Sequence, residues 1–280
     1  MEVAGLIIGG IALSSLFTQC VDCFEYIQLG RQFGDKYERS LLQIELLKLR
    51  LSRWGSVVNR IQDKTSQDDA KVVKAVLSDI VNLFDHVEKL AEDDKLKNPG
   101  TELQVYNEHP DPNSTVTIMC QRVKNLAMKR QNRSSLKKKA KWALYQQKDF
   151  EYLIEQVSRY LDSLEAWCST ASALQITTSQ LNDQFCAEDV HALADSHELG
   201  LLEEGAKGTD PGLLKIVVAR NEGHTYTNNN TVQSTILLGD YVAKDYTGDI
   251  AGKTNNYERN KAFQSKAVYG TNYGGKSPFD

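Results

Sequence analysis

Residues 72–87 read VVKAVLSDIVNLFDHV. Val72, Val73, Val76, Leu77, Ile80, Leu83, Phe84 and Val87 recur at steps of three and four, the spacing that lines one face of an α-helix rather than the two-residue period of a strand. Towards the N-terminus, Leu41, Leu42, Ile44, Leu47, Leu49 and Leu51 with Trp54 make a second such run. Towards the C-terminus, further runs cover roughly 115 to 144 and 148 to 168, the latter through Phe150, Leu153, Ile154, Val157, Leu161 and Leu164. Breaks are expected at Gly55, around Asn98-Pro99-Gly100 and in a loop holding Pro110 and Pro112. Residues 1–214 are therefore expected to fold as an all-α helical bundle, long enough to bury a core without a structural metal or disulfide.

The bundle is only part of the chain. Over all 280 residues, 41% are hydrophobic and 25% charged, which excludes collagen-like, disulfide-framework and multi-span membrane classes. Residues 1–214 hold 25 Lys and Arg against 31 Asp and Glu, whereas residues 215–280 hold 8 against 6. Asn, Gly, Thr and Tyr supply 28 of the last 62 residues, and no leucine follows Leu238. An acidic helical part thus precedes a slightly basic, leucine-poor tail, and the whole-chain charge of −4 describes neither.

Glu2 stands where a secretory leader would carry a base, and no small-residue cleavage site follows a short apolar core. A cytoplasmic protein is expected. Its five cysteines are then thiols, and the triplets at Asn113, Asn132 and Asn229 are not glycosylated.

Residues 3–21, VAGLIIGGIALSSLFTQCV, carry no charge. As one helix they would span about 28 Å, close to the hydrocarbon thickness of a bilayer. Gly5, Gly9, Gly10, Ser14, Ser15, Thr18 and Gln19 make the run only moderately apolar, which suits a first helix buried in the bundle. Both readings hold if the segment is buried at rest and released later, when Leu6, Ile7, Ile8, Ile11, Leu13, Leu16 and Phe17 would enter lipid and Gly5 and Gly9 would permit close helix contacts.

Residues 112–148 contain no acid and hold nine bases between Arg122 and Lys141. The run suits either anionic lipid or a solvated face paired with acids elsewhere in the bundle. The acidity of the domain argues against nucleic acid.

Signs of catalysis are weak. Cys20 and Cys23 form a C-x-x-C without a second pair or a nearby histidine, so they read as small apolar groups on one helix face. His191 and His197 flank Asp195 at a spacing that does not place two ligands on one face. Gly248 to Thr254, GDIAGKT, is one residue short of a phosphate-cradling loop and lacks the flanking strand and helix. No enzyme, cofactor or metal is expected.

Sliding the tail against itself by 31 residues aligns Tyr226 with Tyr257, Asn229 with Asn260, Gln233-Ser234 with Gln264-Ser265 and Gly239 with Gly270. Two copies of one unit lie near 223–243 and 254–275. A unit this short cannot close a core alone, and two copies fall below the three or so that a solenoid needs, so other molecules would supply the neighbours. Asn and Gln ladders, low net charge and the absence of proline from 212 to 277 fit stacked in-register strands. The tail is expected to be disordered in the monomer and to form a β-solenoid amyloid on assembly. The core would be built on Asn229, Gln233, Ile236, Leu237, Leu238 and Gly239 with Asn260, Gln264, Ala267, Val268, Tyr269, Gly270 and Tyr273.

CVDCFEYIQLGRQFG (20–34), LSRWG (51–55), KWALY (141–145) and a two-repeat tail ending in NYGGK (272–276) together resemble the fungal HET-s/HET-S prion protein family along nearly the whole chain. The resemblance implies a helical HeLo domain at 1–214 and a prion-forming domain at 215–280. It further implies that amyloid templating refolds the HeLo domain, exposes the N-terminal apolar helix and permeabilises the plasma membrane in heterokaryon incompatibility or related defence. The partners so implied are other copies of the chain, related HET-s/HET-S proteins, an upstream receptor with a matching repeat and, after activation, membrane. Within the matching segment, Asp22 and Gln32 are the positions expected to control toxicity. Gln32 stands where the family carries histidine or proline, which leaves toxic and prion-only behaviour both open. Two other classes compete with this reading: a cytosolic helical adaptor whose tail binds a partner by strand addition, and a nucleotide hydrolase using Lys253.

Overall fold

Helix α2 (Tyr37–Ile61) is the axis around which the helical unit is built. It packs against α1 (Ser14–Phe24), α4 (Thr115–Arg130), α5 (Gln147–Thr170), α6 (Gln175–Leu193) and α7 (Leu199–Ala206), while α3 (Gln67–Lys97) packs against α1 and α5. The computed structural model describes residues 6–29, 33, 36–97, 114–131, 142–144, 147–170, 175–194 and 198–221, together with the tail strands given below. The chain divides into two units, Met1–Ile216 and Val217–Asp280, with α8 (Pro211–Asn221) carrying the chain from one into the other.

The helical runs arise where the periodicity places them, with sharper ends than the sequence suggests. Ser114 caps α4 by accepting from the Thr117 N–H at 3.1 Å. Ser66 and Asp69 cap α3 reciprocally: the Ser66 N–H donates to Asp69 Oδ2 at 2.7 Å and the Asp69 N–H donates to Ser66 Oγ at 3.2 Å. The core gathers Leu47, Leu51, Trp54 and Val58 of α2, Val73, Leu77, Ile80 and Phe84 of α3, and Leu153, Val157, Leu161 and Leu164 of α5.

Three expectations are corrected. Residues 3–21 are not one helix: Ile7–Ile8 (β1) and Ile11–Ala12 (β2) form an antiparallel hairpin, and α1 starts only at Ser14. Gly9 and Gly10 both take positive φ, 55° and 79°, the conformation of a tight two-residue hairpin turn, which glycine adopts without steric cost. Among the described residues no helix is long and apolar enough to cross a membrane. Gly55 does not break a helix either, because α2 runs through it for its full 25 residues; a Cβ there would lie 2.6 Å from Phe17 Cζ, so the glycine opens a notch for a neighbouring ring. Finally, the run read as helical to 144 ends earlier. Trp142–Leu144 (β4) is a strand that pairs in parallel with Ile27–Leu29 (β3), and backbone pairing with a distant segment overrides local helical spacing.

In the tail, β5 (Thr225–Thr227), β6 (Asn230–Val232), β7 (Thr235–Leu237) and β8 (Tyr241–Val242) pair in parallel with β9 (Asn256–Glu258), β10 (Lys261–Phe263), β11 (Lys266–Val268) and β12 (Asn272–Tyr273) respectively. The register is constant: Tyr226 faces Tyr257, Thr231 faces Ala262, Ile236 faces Ala267 and Val242 faces Tyr273, the 31-residue offset of the sequence alignment. Disorder was expected of the single chain, yet its described tail residues carry paired strands. Among the described residues each of these sheets is two strands deep, so that each strand is paired along one edge.

Candidate functional site

The N-terminal segment is held in place by features that need small residues at fixed positions. The Leu13 N–H donates to the Leu6 carbonyl at 2.8 Å, closing the hairpin base. At its turn the Gly9 N–H donates to Thr65 Oγ1 at 2.8 Å, and a Cβ on Gly9 would overlap the Ser66 carbonyl. Just beyond, Asp69 Oδ1 accepts from Trp167 Nε1 at 2.9 Å. Burial alone would raise the Asp69 carboxyl, but hydrogen bonds from Ser66 and Trp167 hold it below its ordinary value. Turn, helix cap and α5 therefore meet at one point. Gly9→Ala is expected to cost about 1–3 kcal/mol through strain and close approach, read as a lowered urea midpoint.

Helix α1 docks by its aromatic side chains. Phe17 fills the notch at Gly55 and packs against Trp54 with ring centroids 6.1 Å apart, and Trp54 in turn meets Trp167 at 6.3 Å. Phe24 meets Phe84 edge-on at 5.0 Å. The Cys20 thiol donates to the Leu77 carbonyl at 3.1 Å, and burial, followed by the neighbouring Cys23, pushes its pKa far above the ordinary thiol value. Burial likewise pushes Cys120, Cys168 and Cys186 up to about 12. These thiols are packing groups, and among the described residues no cluster could hold a metal ion.

Of the seven residues read as membrane-inserting, Leu6, Ile8, Leu13 and Phe17 are buried, Leu16 is half-buried, and Ile7 and Ile11 are exposed at 41% and 38%. Fully burying an apolar side chain of this kind contributes about 1.5–3 kcal/mol. Withdrawing Leu6, Ile8, Leu13, Phe17, Val21 and Phe24 together thus costs on the order of 10 kcal/mol, comparable with the whole net stability of a domain. The segment cannot leave while the bundle stays closed. Asp22 lies half-buried on α1; Gln32 lies outside the described residues. Among the proposed amyloid positions, Ile236, Leu237, Ala267, Val268 and Tyr273 fall in the paired strands. Asn229, Gln233, Leu238, Gly239, Asn260, Gln264, Tyr269 and Gly270 lie outside the described residues, as do His197 and the GDIAGKT segment.

Glu25, at the C-terminal end of α1, accepts from Lys48 of α2, whose side chain is buried, and from Lys124 of α4 at 2.8 Å. Helix α4 extends this pattern. Arg122 pairs with Glu198 at 2.6 Å and Arg130 pairs with Asp189. This part of the basic run is therefore engaged with acids of the bundle, and residues 132–141 lie outside the described residues.

A charged junction that apolar periodicity does not announce lies inside the core. Arg53 and its two partners, Asp189 of α6 and Asp210, are all fully buried, with bonds of 3.0 Å to Asp189 and of 3.1 and 2.7 Å to Asp210. Arg50, also buried, donates to Glu165 at 3.0 and 2.6 Å, to Asp162 at 2.6 Å and to the Thr209 carbonyl at 3.0 Å. Asp210 additionally caps α8, accepting from the Leu213 N–H at 3.0 Å. Burial alone would strip these charges. The attraction of Asp210 instead holds the Arg53 guanidinium well above its ordinary value, and Arg53 holds the Asp210 carboxyl below its own. A signal existed in Lys48, Arg50 and Arg53 interrupting a leucine run, and in Asp210 standing before Pro211 at a helix start.

A helical domain that packs away its N-terminal hairpin and is followed in sequence by paired repeats is a two-part protein, a helical bundle with a strand-repeat tail. The HeLo family model, described as prion-inhibition and propagation, matches residues 5–202. The chain is 30% identical to heterokaryon incompatibility protein s of Podospora anserina along 302 aligned positions, which take in 100% of this chain and 99% of that one. It is likewise 30% identical to heterokaryon incompatibility protein S of the same species, covering 98% of each. The solved HET-s N-terminal domain superposes with a TM-score of 0.61 at 32% identity, covering 73% of this chain and 94% of that domain. A doubly substituted form of that domain gives 0.63 at 30% identity, covering 73% and 96%. The chain belongs to the HeLo family of HET-s/HET-S heterokaryon incompatibility proteins.

Proposed function

We propose that this protein is a non-enzymatic, prion-controlled effector of cell death in heterokaryon incompatibility or related fungal defence. The observation that carries the reading is the constant 31-residue parallel register of four strand pairs, each two strands deep among the described residues. Such a unit accepts another copy of itself on either side with every backbone group paired. The partners are thus other copies of the chain, related HET-s/HET-S proteins and an upstream receptor bearing a matching repeat. Templating stacks the tail's strand pairs onto those of other copies and pulls on α8, whose first turn is clasped by the buried Arg53 and Asp210 pair. Opening that clasp loosens the bundle and frees the N-terminal segment, and the protein moves from the cytoplasm to the plasma membrane. Asp22 and Gln32 set how readily this happens. No cofactor takes part.

Fibrils grown from residues 215–280 should seed the full-length protein to cross-β assembly, and seeded protein should empty dye-loaded vesicles that unseeded protein leaves intact. Saturable, stoichiometric complexes without self-seeding would instead favour a strand-adding adaptor.

A further inference from the structure

We propose that the outer face of α4 is a docking surface for an anionic membrane, and that docking competes directly for the cations that hold the N-terminal segment shut. The proposal rests on the membrane-active reading above and adds the regulation of that site.

The buried side of α4 carries Met119, Val123 and Ala127. By helical geometry the opposite crest carries Ile118, Gln121 and Asn125, with Arg122 and Lys129 on one flank and Lys124 on the other. Ile118, though apolar, is 38% exposed, and Gln121, Arg122, Asn125 and Lys129 are exposed too. Helix α4 itself carries no acid, none occurring between residues 112 and 148; the acids beside it, Glu25 and Glu198, come from the end of α1 and the start of α7. A cationic face with an apolar residue at its crest fits a lipid headgroup layer, which takes both the charge and the side chain.

The counter-charges of these cations come from distant parts of the fold. Lys124 neutralises Glu25 at the end of α1, and Arg122 neutralises Glu198 at the start of α7 and donates to the Leu193 carbonyl at 3.1 Å. The two side chains are 34% and 44% exposed, whereas Arg130, on Asp189, is 10% exposed. The first two can therefore exchange a carboxylate for a headgroup, and the third cannot. When Lys124 leaves, Glu25 keeps, among the described residues, the Lys48 half of its clasp, and its charge then sits at the negative end of the α1 dipole without the Lys124 cation. By linkage, an anionic surface loosens α1, and loosening α1 strengthens binding to the surface.

The test uses unseeded full-length protein, so that it stands apart from the prion reading. Cys20 and Cys23 report on α1 because both are buried at rest. Their thiol-labelling rate, read by peptide mass, should rise about tenfold with mixed phosphatidylcholine–phosphatidylglycerol vesicles and stay unchanged with phosphatidylcholine alone or with inorganic phosphate at equal ionic strength. Removing two surface-facing cations in Arg122→Gln/Lys129→Gln should weaken binding to the anionic vesicles about tenfold or more. Lys124→Gln should raise the vesicle-free labelling rate several-fold with unchanged circular dichroism and flatten the response to lipid. Lys71→Gln, which removes an exposed pair with Asp68 on α3, is the control and should behave as wild type. Equal binding to neutral and anionic vesicles, an effect of Lys71→Gln equal to that of the α4 variants, or full stimulation by phosphate would each overturn the proposal. Loss of seeded leakage with these lipid responses intact would count against the prion reading alone.

Discussion

Replacing Arg53 by Met is expected to destabilise the helical domain by about 3–5 kcal/mol, because truncation strands buried carboxylates that no solvent reaches. Asp189 keeps Arg130, but Asp210 loses both of its Arg53 bonds and retains only its capping role on α8 and the charge of Arg50 nearby. Removing the orphaned charge should recover part of the loss: Arg53→Met/Asp210→Asn is expected to cost less than the two single substitutions together, as a double-mutant cycle in urea would measure. The same pair predicts a pH dependence. Asp210 in the folded state lies below its ordinary value of 3.8, so its stabilisation is complete above that value and is lost as pH falls through the lowered one. Acid unfolding of the wild type should therefore steepen below about pH 4, and Asp210→Asn should flatten that slope. If opening the clasp on α8 is the step that tail assembly drives, Arg53→Met should also leak vesicles without seed.

The second large effect separates resting packing from membrane action. Ile8 is fully buried and Ile11 is 38% exposed, although they sit opposite each other in the hairpin. Ile8→Asp places a carboxylate in the core, where an unpaired charge costs several kcal/mol; this variant should unfold at lower urea. Ile11→Asp meets water at rest and should leave the urea midpoint within about 0.5 kcal/mol of wild type. In lipid it would be a charge within the segment proposed to insert, costing about 2.5–3.5 kcal/mol, so seeded leakage should disappear while seeded fibrillisation continues. Leakage undiminished in Ile11→Asp would make the segment purely structural.

The helical class was legible in Val72 to Val87 and Leu41 to Trp54 because apolar spacing is a local property, and the tail register was legible because a repeat carries its own alignment. The candidate site was less so. Gly55 and the Gly9-Gly10 pair read as a break and as part of a continuous apolar helix, since glycine has the same letter whether it ends a helix, turns a hairpin or makes room for Phe17. For the basic run, pairing with acids elsewhere in the bundle was one of the two alternatives and holds for Arg122, Lys124 and Arg130, but the partners Glu25, Glu198 and Asp189 were not legible because they lie 59 to 99 positions away.

What the sequence determined by itself is therefore what periodicity encodes: a helical domain, an uncharged N-terminal segment and two tail units offset by 31 residues. Tertiary structure alone decided that the segment is a hairpin followed by a short helix, that Arg53 is enclosed by Asp189 and Asp210, and that Lys124 and Arg122 of α4 pair with Glu25 and Glu198 in particular. The physical reason is range. Helical patterning follows from neighbours a few residues apart, whereas burial and charge pairing depend on which distant segments the folded chain brings together.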